Sequence, residues 1–114
     1  MVKIADIVVP LYNKALPVCE RRGIRLNLDL SDPTIDVGDE AELKKMLQEL
    51  LKAAIRRTKE GSITLGAARE DGWIEVVVRD SGEALTKKEC EELATENIEV
   101  RSRHGYGTTV VIVL

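Results

Sequence analysis

The sequence predicts an α/β (α+β) two-layer sandwich, in which a mixed, largely antiparallel sheet of about five strands is covered on one face by about three helices. Three observations carry this expectation. Two long segments repeat apolar residues at intervals of three and four, the period of a helix with one buried face. Five shorter segments alternate or run apolar between turn residues, as strands do. Their order, α-β-α-β-β-α-β-β, sets the helices apart from hairpin-joined strands, which favours two layers over a doubly wound parallel sheet.

Residues 4–22 form the first predicted helix, with Ile4, Ile7, Val8, Leu11, Ala15, Leu16 and Cys19 along one face. Pro10 and Pro17 each remove a donor and crowd the preceding turn, so a kink or two shorter pieces are expected there. Gly23 ends it. In residues 24–30, Ile24, Leu26, Leu28 and Leu30 alternate strictly, marking a half-buried strand. The next helix opens at Asp39, with Glu42 three residues on as an Asp variant of the capping box. Leu43, Met46, Leu47, Leu50, Leu51, Ala54 and Ile55 give it a wide apolar stripe. Strands over residues 62–69 and 73–79 are joined by Glu70-Asp71-Gly72, a hairpin signal. Thr86 and Glu89 form a second capping box, opening a short helix that runs to about residue 96. A strand at 98–102, a tight connection at 103–107 and a strand at 108–114 close the chain.

At 114 residues, 44% of them hydrophobic, the chain suffices for one domain, residues 1–114, with one core. It has no Phe and one Trp, so that core is aliphatic. A net charge of -3 gives no long-range attraction to nucleic acid or an anionic membrane. No stretch approaches the roughly 20 apolar residues of a membrane span. Cys19 and Cys90 suggest neither a disulfide framework nor metal-ligand spacing, which makes the cytoplasm the expected compartment.

Several short motifs appear in a telling order. Val37-Gly38-Asp39 precedes Leu43 and Leu47, and Ala54-Ile55-Arg56-Arg57-Thr58 is followed by Gly61 and Ile63. Asp80-Ser81-Gly82 and Gly105-Tyr106-Gly107-Thr108-Thr109 come later. Together these resemble the ATP-binding domain of sensor histidine kinases, the GHKL or Bergerat fold shared with DNA gyrase and the mismatch-repair ATPase MutL. The segments correspond in turn to the approach to the N box, its "NAIKYT" exit, the start of the "D-x-G-x-G" box and the terminal "G-x-G-T" hairpin. The resemblance implies that Asp80 would accept a hydrogen bond from the adenine amino group, with Gly82 beside it and Thr108 or Thr109 supplying a hydroxyl. The competing reading makes Asp80-Ser81-Gly82 a strand-ending turn and both threonines ordinary strand residues.

The departures lie on the phosphate side. Where the family's N box carries the asparagine that holds Mg²⁺, this chain has Ala53, whose methyl cannot ligate a cation that demands oxygen. One turn earlier stands Glu49. It is either the water-activating glutamate of the gyrase-type branch or a solvated helix carboxylate, and without a metal-held phosphate it has nothing to act on. The second glycine of the Asp box is Ala84. Where the family inserts its ATP lid and second glycine box, the sequence passes from the short helix almost directly into the strand at Ile98. Gly105-Tyr106-Gly107 lies between strands and reads as a hairpin turn, not a phosphate loop. His104, in the same turn, lacks the exposed helix that a phosphoacceptor needs. The basic runs Arg56-Arg57-Thr58-Lys59 and Arg101-Ser102-Arg103-His104 read either as a surface for an acidic partner or, more commonly, as helix-end charges favouring the dipole and edge-strand protection.

The resemblance therefore implies a degenerate domain with no catalytic residue, no metal and no cofactor. Its expected role is that of a scaffold or protein-interaction module in two-component-type signalling. It would meet a protein partner, or a second copy of itself, through the uncovered nucleotide-side face, with no part for nucleic acid or membrane. The alternative is a weak ATP or ADP binder that uses Asp80, Gly82 and a threonine for adenine and Glu49 near the phosphates.

Overall fold

The computed structural model describes residues 2–32, 34–38 and 40–114. In chain order the elements are β1 (Val2–Lys3), α1 (Ile4–Arg21), β2 (Ile24–Leu30), β3 (Asp36–Val37), α2 (Glu40–Arg57), β4 (Gly61–Glu70), β5 (Trp73–Asp80), α3 (Lys87–Leu93), β6 (Ile98–Arg103) and β7 (Gly107–Val113). Five strands form one mixed sheet in the order β2-β4-β5-β7-β6. Only β2 and β4 run parallel, joined through α2; the other neighbours are antiparallel. The predicted fold class stands.

Burial follows the periods read from the sequence. Ile4, Ile7, Val8, Leu11, Ala15 and Cys19 of α1 share one core with Leu43, Leu47, Leu50, Leu51 and Ala54 of α2. The inward residues of the central strands, among them Ile63, Leu65, Val76, Val78, Val110 and Ile112, complete it. Burial in this core pushes the Cys19 thiol pKa up, with Arg22 opposing weakly.

Three details differ from the sequence expectation, and a fourth expectation lies outside the described residues. Helix α1 is one continuous element through Pro10 and Pro17. Both prolines are exposed, so the carbonyls that lose a donor face water and the helix persists. Strands β1 and β3 were not anticipated, because two residues carry no period; they pair with each other antiparallel beside the sheet. The proposed cap pair of α2 falls on Asp39, which lies outside the described residues. Helix α3 ends at Leu93, earlier than expected.

The turns behave as their residues dictate. Asp71 and Gly72 have φ of 39° and 92°, the two left-handed residues of a tight hairpin between β4 and β5. In α3 the predicted capping box is complete: the Glu89 amide donates to Thr86 Oγ1 at 3.1 Å, and the Thr86 amide donates to Glu89 Oε1 at 3.0 Å. The Thr86 amide, followed by its hydroxyl, holds the Glu89 carboxyl below its ordinary value of 4.5. A depressed folded-state pKa stabilises α3 above pH 4.5 and loses that contribution as pH falls through the lower folded value. Protection of the α3 amides, taken relative to their intrinsic exchange rate at each pH, is therefore expected to fall on acidification below that range before that of the core strands. In Glu89→Gln, which keeps an acceptor but cannot ionise, this selective change should disappear.

Candidate functional site

The C-terminal end of α2 is fixed from two directions. Arg22, just past α1, donates through Nη1 to the Ile55 carbonyl at 2.8 Å and through Nη2 to the Thr58 carbonyl at 3.1 Å. These are carbonyls that a helix end leaves without partners, and a cation there also suits the dipole. From the other side the Glu83 amide donates to the Arg57 carbonyl at 3.2 Å. The turn after β5 is thereby tied to the helix end, and Arg57 is aimed at the last residue of that strand.

That residue is Asp80, only 2% exposed. Its Oδ2 accepts from Arg57 Nη2 at 2.7 Å, and its Oδ1 accepts from the Gly82 amide at 3.0 Å. The backbone around it leaves no room for side chains. A Cβ on Gly82 would stand 2.5 Å from the Arg57 carbonyl oxygen and 2.8 Å from Thr58 Oγ1. Gly107, with φ of 87°, packs on the Asp80 carbonyl, which a Cβ would approach to 2.0 Å. Position 84, by contrast, accommodates alanine.

Register separates the two candidate threonines. Asp80 and Thr108 are Cα partners across β5 and β7, and Thr108 and Ser102 are partners across β7 and β6. The three form one row on the helix-covered side of the sheet. Thr108 is 1% exposed, with its hydroxyl 2.7 Å from that of Ser102, which in turn accepts from the Leu85 amide at 2.7 Å. Thr109, one residue on, pairs with Arg79 and Arg101 and belongs to the opposite face. Of the sequence candidates, the structure gathers Asp80, Gly82 and Thr108 and leaves Thr109 outside.

Glu49, Ala53 and Arg57 follow one another at intervals of four along one edge of α2. Glu49 is exposed, and its carboxylate has no ion pair among the described residues. Ala53 is half-buried and offers carbon only. Among the described residues, no group of three His, Cys, Asp or Glu side chains could hold a metal ion. Farther along α2, a cleft of about 340 Å³ opens between the helix and the β6–β7 hairpin, floored by Leu43, Met46, Ile98 and Ile112. His104 is exposed in the β6–β7 turn and belongs to no helix. Sequence reasoning missed Arg57 and Ser102. Arg57 was grouped with helix-end charges, although its place in the "NAIKYT" correspondence, where the motif carries Tyr, marked it as unusual.

The family model described as "Histidine kinase-, DNA gyrase B-, and HSP90-like ATPase" matches residues 38–114, more than half of the chain. The chain belongs to this family. Among curated proteins, it is 29% identical over 101 residues to the Sensor protein BasS of Escherichia coli (strain K12), a match covering 88% of this chain and 28% of that protein. The chain thus spans little more than a quarter of that relative's length. Among solved structures, the nucleotide-free catalytic domain of histidine kinase ThkA superposes with a TM-score of 0.86 at 15% identity, covering 99% of this chain and 93% of that one. ThkA in complex with the response regulator protein TrrA gives a TM-score of 0.80 at 16% identity, covering 99% of this chain and 40% of that one. Likeness at such identity speaks for the fold alone.

The residues present do not fit a magnesium nucleotide. Position 53 offers no oxygen, the Asp80 carboxylate is engaged by the chain itself, and Thr108 is paired with Ser102. The asymmetry of the ion pair yields a stability prediction. The Asp80 side chain is 1% exposed and that of Arg57 is 17% exposed. Arg57→Ala strands a buried charge and is expected to cost about 2–4 kcal/mol, the lower end reflecting water access from the Arg57 side. Asp80→Asn, which keeps an acceptor for Gly82 and leaves an arginine that can turn to water, should cost less, about 1–2 kcal/mol. Urea unfolding of the two variants measures the difference; equal costs would mean that the pair is not holding the buried carboxylate.

Proposed function

We propose that this chain is a histidine kinase-type ATPase domain that no longer catalyses, and that it serves as a scaffold or protein-interaction module in two-component-type signalling. It works in the cytoplasm and uses no nucleotide and no metal. The observation that carries this reading is the 2.7 Å ion pair from Arg57 to the buried Asp80, which leaves the implied adenine acceptor already occupied. Ala53 and the solvent-facing Glu49 support it from the phosphate side, since a general base needs a held substrate to act on.

The nucleotide-side face offers a surface to a protein partner or a second copy. Toward the N-terminal end of α2, Leu43, Met46, Ile98 and Ile112 floor a cleft, and an open apolar floor gains from being covered. The ThkA structure with its response regulator supports protein contact as a use of this fold. No helix among the described residues is long and apolar enough to cross a membrane. Nucleic acid is disfavoured by the net charge of -3.

Calorimetric titration with ATP and ADP, with and without Mg²⁺, tests the reading. The expected result is no saturable binding below about millimolar, or less than roughly 4 kcal/mol. A micromolar dissociation constant, or hydrolysis abolished by Glu49→Ala, would establish instead the weak ATP- or ADP-binding alternative. Sedimentation against the 12.6 kDa monomer mass separates self-association from a requirement for a partner.

A further inference from the structure

We propose that the groove between the outer faces of α1 and α2 is a docking site for an acidic amphipathic helix of a partner protein. It lies on a different flank of α2 from the cleft beside the β6–β7 hairpin. Nothing in it depends on whether the nucleotide side works.

The floor is apolar and continuous. Leu11, Ala15 and Val18 follow one another at four and three along α1, while Leu51 and Ile55 stand four apart on α2. Between the two helices these five side chains floor a depression of about 450 Å³. Alanine in the middle of the α1 row makes the dip. Val18 is 36% exposed, in a chain whose core is built from such aliphatic side chains. Among the described residues, it is the one large apolar side chain that a helix leaves exposed.

The rim carries charge of a single sign. Lys14 of α1 and Lys52 and Arg56 of α2 line the groove beside the uncharged Gln48, and no described Asp or Glu lines it. The three cations are exposed, and none forms an ion pair among the described residues. In a chain of net charge -3 this is a local reversal of sign. Lys52 and Arg56, four apart on one helix, repel each other, a small cost that an acidic partner lifts. Lys45, seven residues before Lys52, extends the row, and exposed Glu49 beside it offsets one charge. Of the neighbours Arg56 and Arg57, the second turns in to Asp80 and the first lines the groove.

The walls decide the shape of the occupant. Inside a helix the main-chain groups are taken by its own bonds, so both walls offer side chains alone. An extended segment laid here would bury its amides and carbonyls without partners, whereas a helix satisfies its own. Apolar residues at every third or fourth position would seat on the floor, and acids on its flanks would face Lys14 on one wall and Lys52 and Arg56 on the other.

The test uses a synthetic 18-residue peptide, the length of α1 and of α2, with leucine at every third or fourth position and glutamate on the flanks. A lysine-flanked peptide and a glutamate peptide with its leucines scrambled are the controls. Fluorescence anisotropy compares the unaltered chain with Lys52→Glu/Arg56→Glu and with Val18→Ser, all at exposed positions. The glutamate peptide is expected to bind the unaltered chain with a Kd of about 100 µM or tighter. Its binding should move amide resonances of α1 and α2 and weaken as salt is raised. Charge reversal should weaken it about tenfold or more and transfer the preference to the lysine peptide. Val18→Ser should weaken it with no such transfer. No saturable binding, equal binding of the scrambled peptide, or indifference to charge reversal overturns the proposal. Displacement of the peptide by vesicles of phosphatidylcholine and phosphatidylserine would make the groove a membrane surface and overturn it too. So would a dimer of this chain that charge reversal dissociates.

Discussion

A carboxylate buried at the end of a central strand has to be answered, and in this fold Asp80 is answered by the chain itself. An unpaired charge in that position would cost several kcal/mol, a large part of the stability available to a domain of this size. In a protein that meets a ligand there, the acceptor is satisfied when it works and solvated or strained when it waits. In this chain Arg57 satisfies it at 2.7 Å, aimed there by the pinned end of α2. Arg22 holds the Ile55 and Thr58 carbonyls, Glu83 holds that of Arg57, and the Gly82 backbone packs against the same turn. The same joint closes the helix end, seats the turn after β5 and occupies the site.

The coupling gives Asp80 and Gly82 duties inside the fold. Gly82 is required by packing, whatever the ligand, because any Cβ there would strike the Arg57 carbonyl. Gly107 is required by its approach to the Asp80 carbonyl. Residues that resemble a binding motif therefore have duties internal to the fold, and their presence is not by itself a sign of binding. The phosphate side has no comparable internal duty. Ala53 and Glu49 lie on an edge of α2 that contributes little to the core, so the helix keeps its packing whatever stands there.

This division also sets what could be read from the sequence. The core faces of α1, α2 and the strands were legible because burial imposes a period, and the hairpin and the α3 cap were legible because their turns restrict residue type. β1 and β3 were not, since pairs of residues have no period. Pro10 and Pro17 were over-read because their cost depends on which way the orphaned carbonyls face, and here they face water. The choice between Thr108 and Thr109 turned on strand register, which a sequence of two adjacent threonines cannot express. Arg57 was the largest miss. At the end of a helix an arginine suits the dipole on any face, and only the tertiary position of Asp80 distinguishes an inward arginine from an outward one.

The residues that carry the fold and those of the candidate site lie on adjoining edges of α2. The buried stripe of α2, Leu43-Leu47-Leu50-Leu51-Ala54, is what the sheet recognises, and it is intact. The adjoining edge carries Glu49, Ala53 and Arg57, where position 53 offers a methyl and position 57 a guanidinium. Overall likeness to catalytic domains is carried by the first set of residues, so it persists at low identity whether or not the second set still works. Function in such a domain is decided on that edge, where Arg57 donates to the buried Asp80.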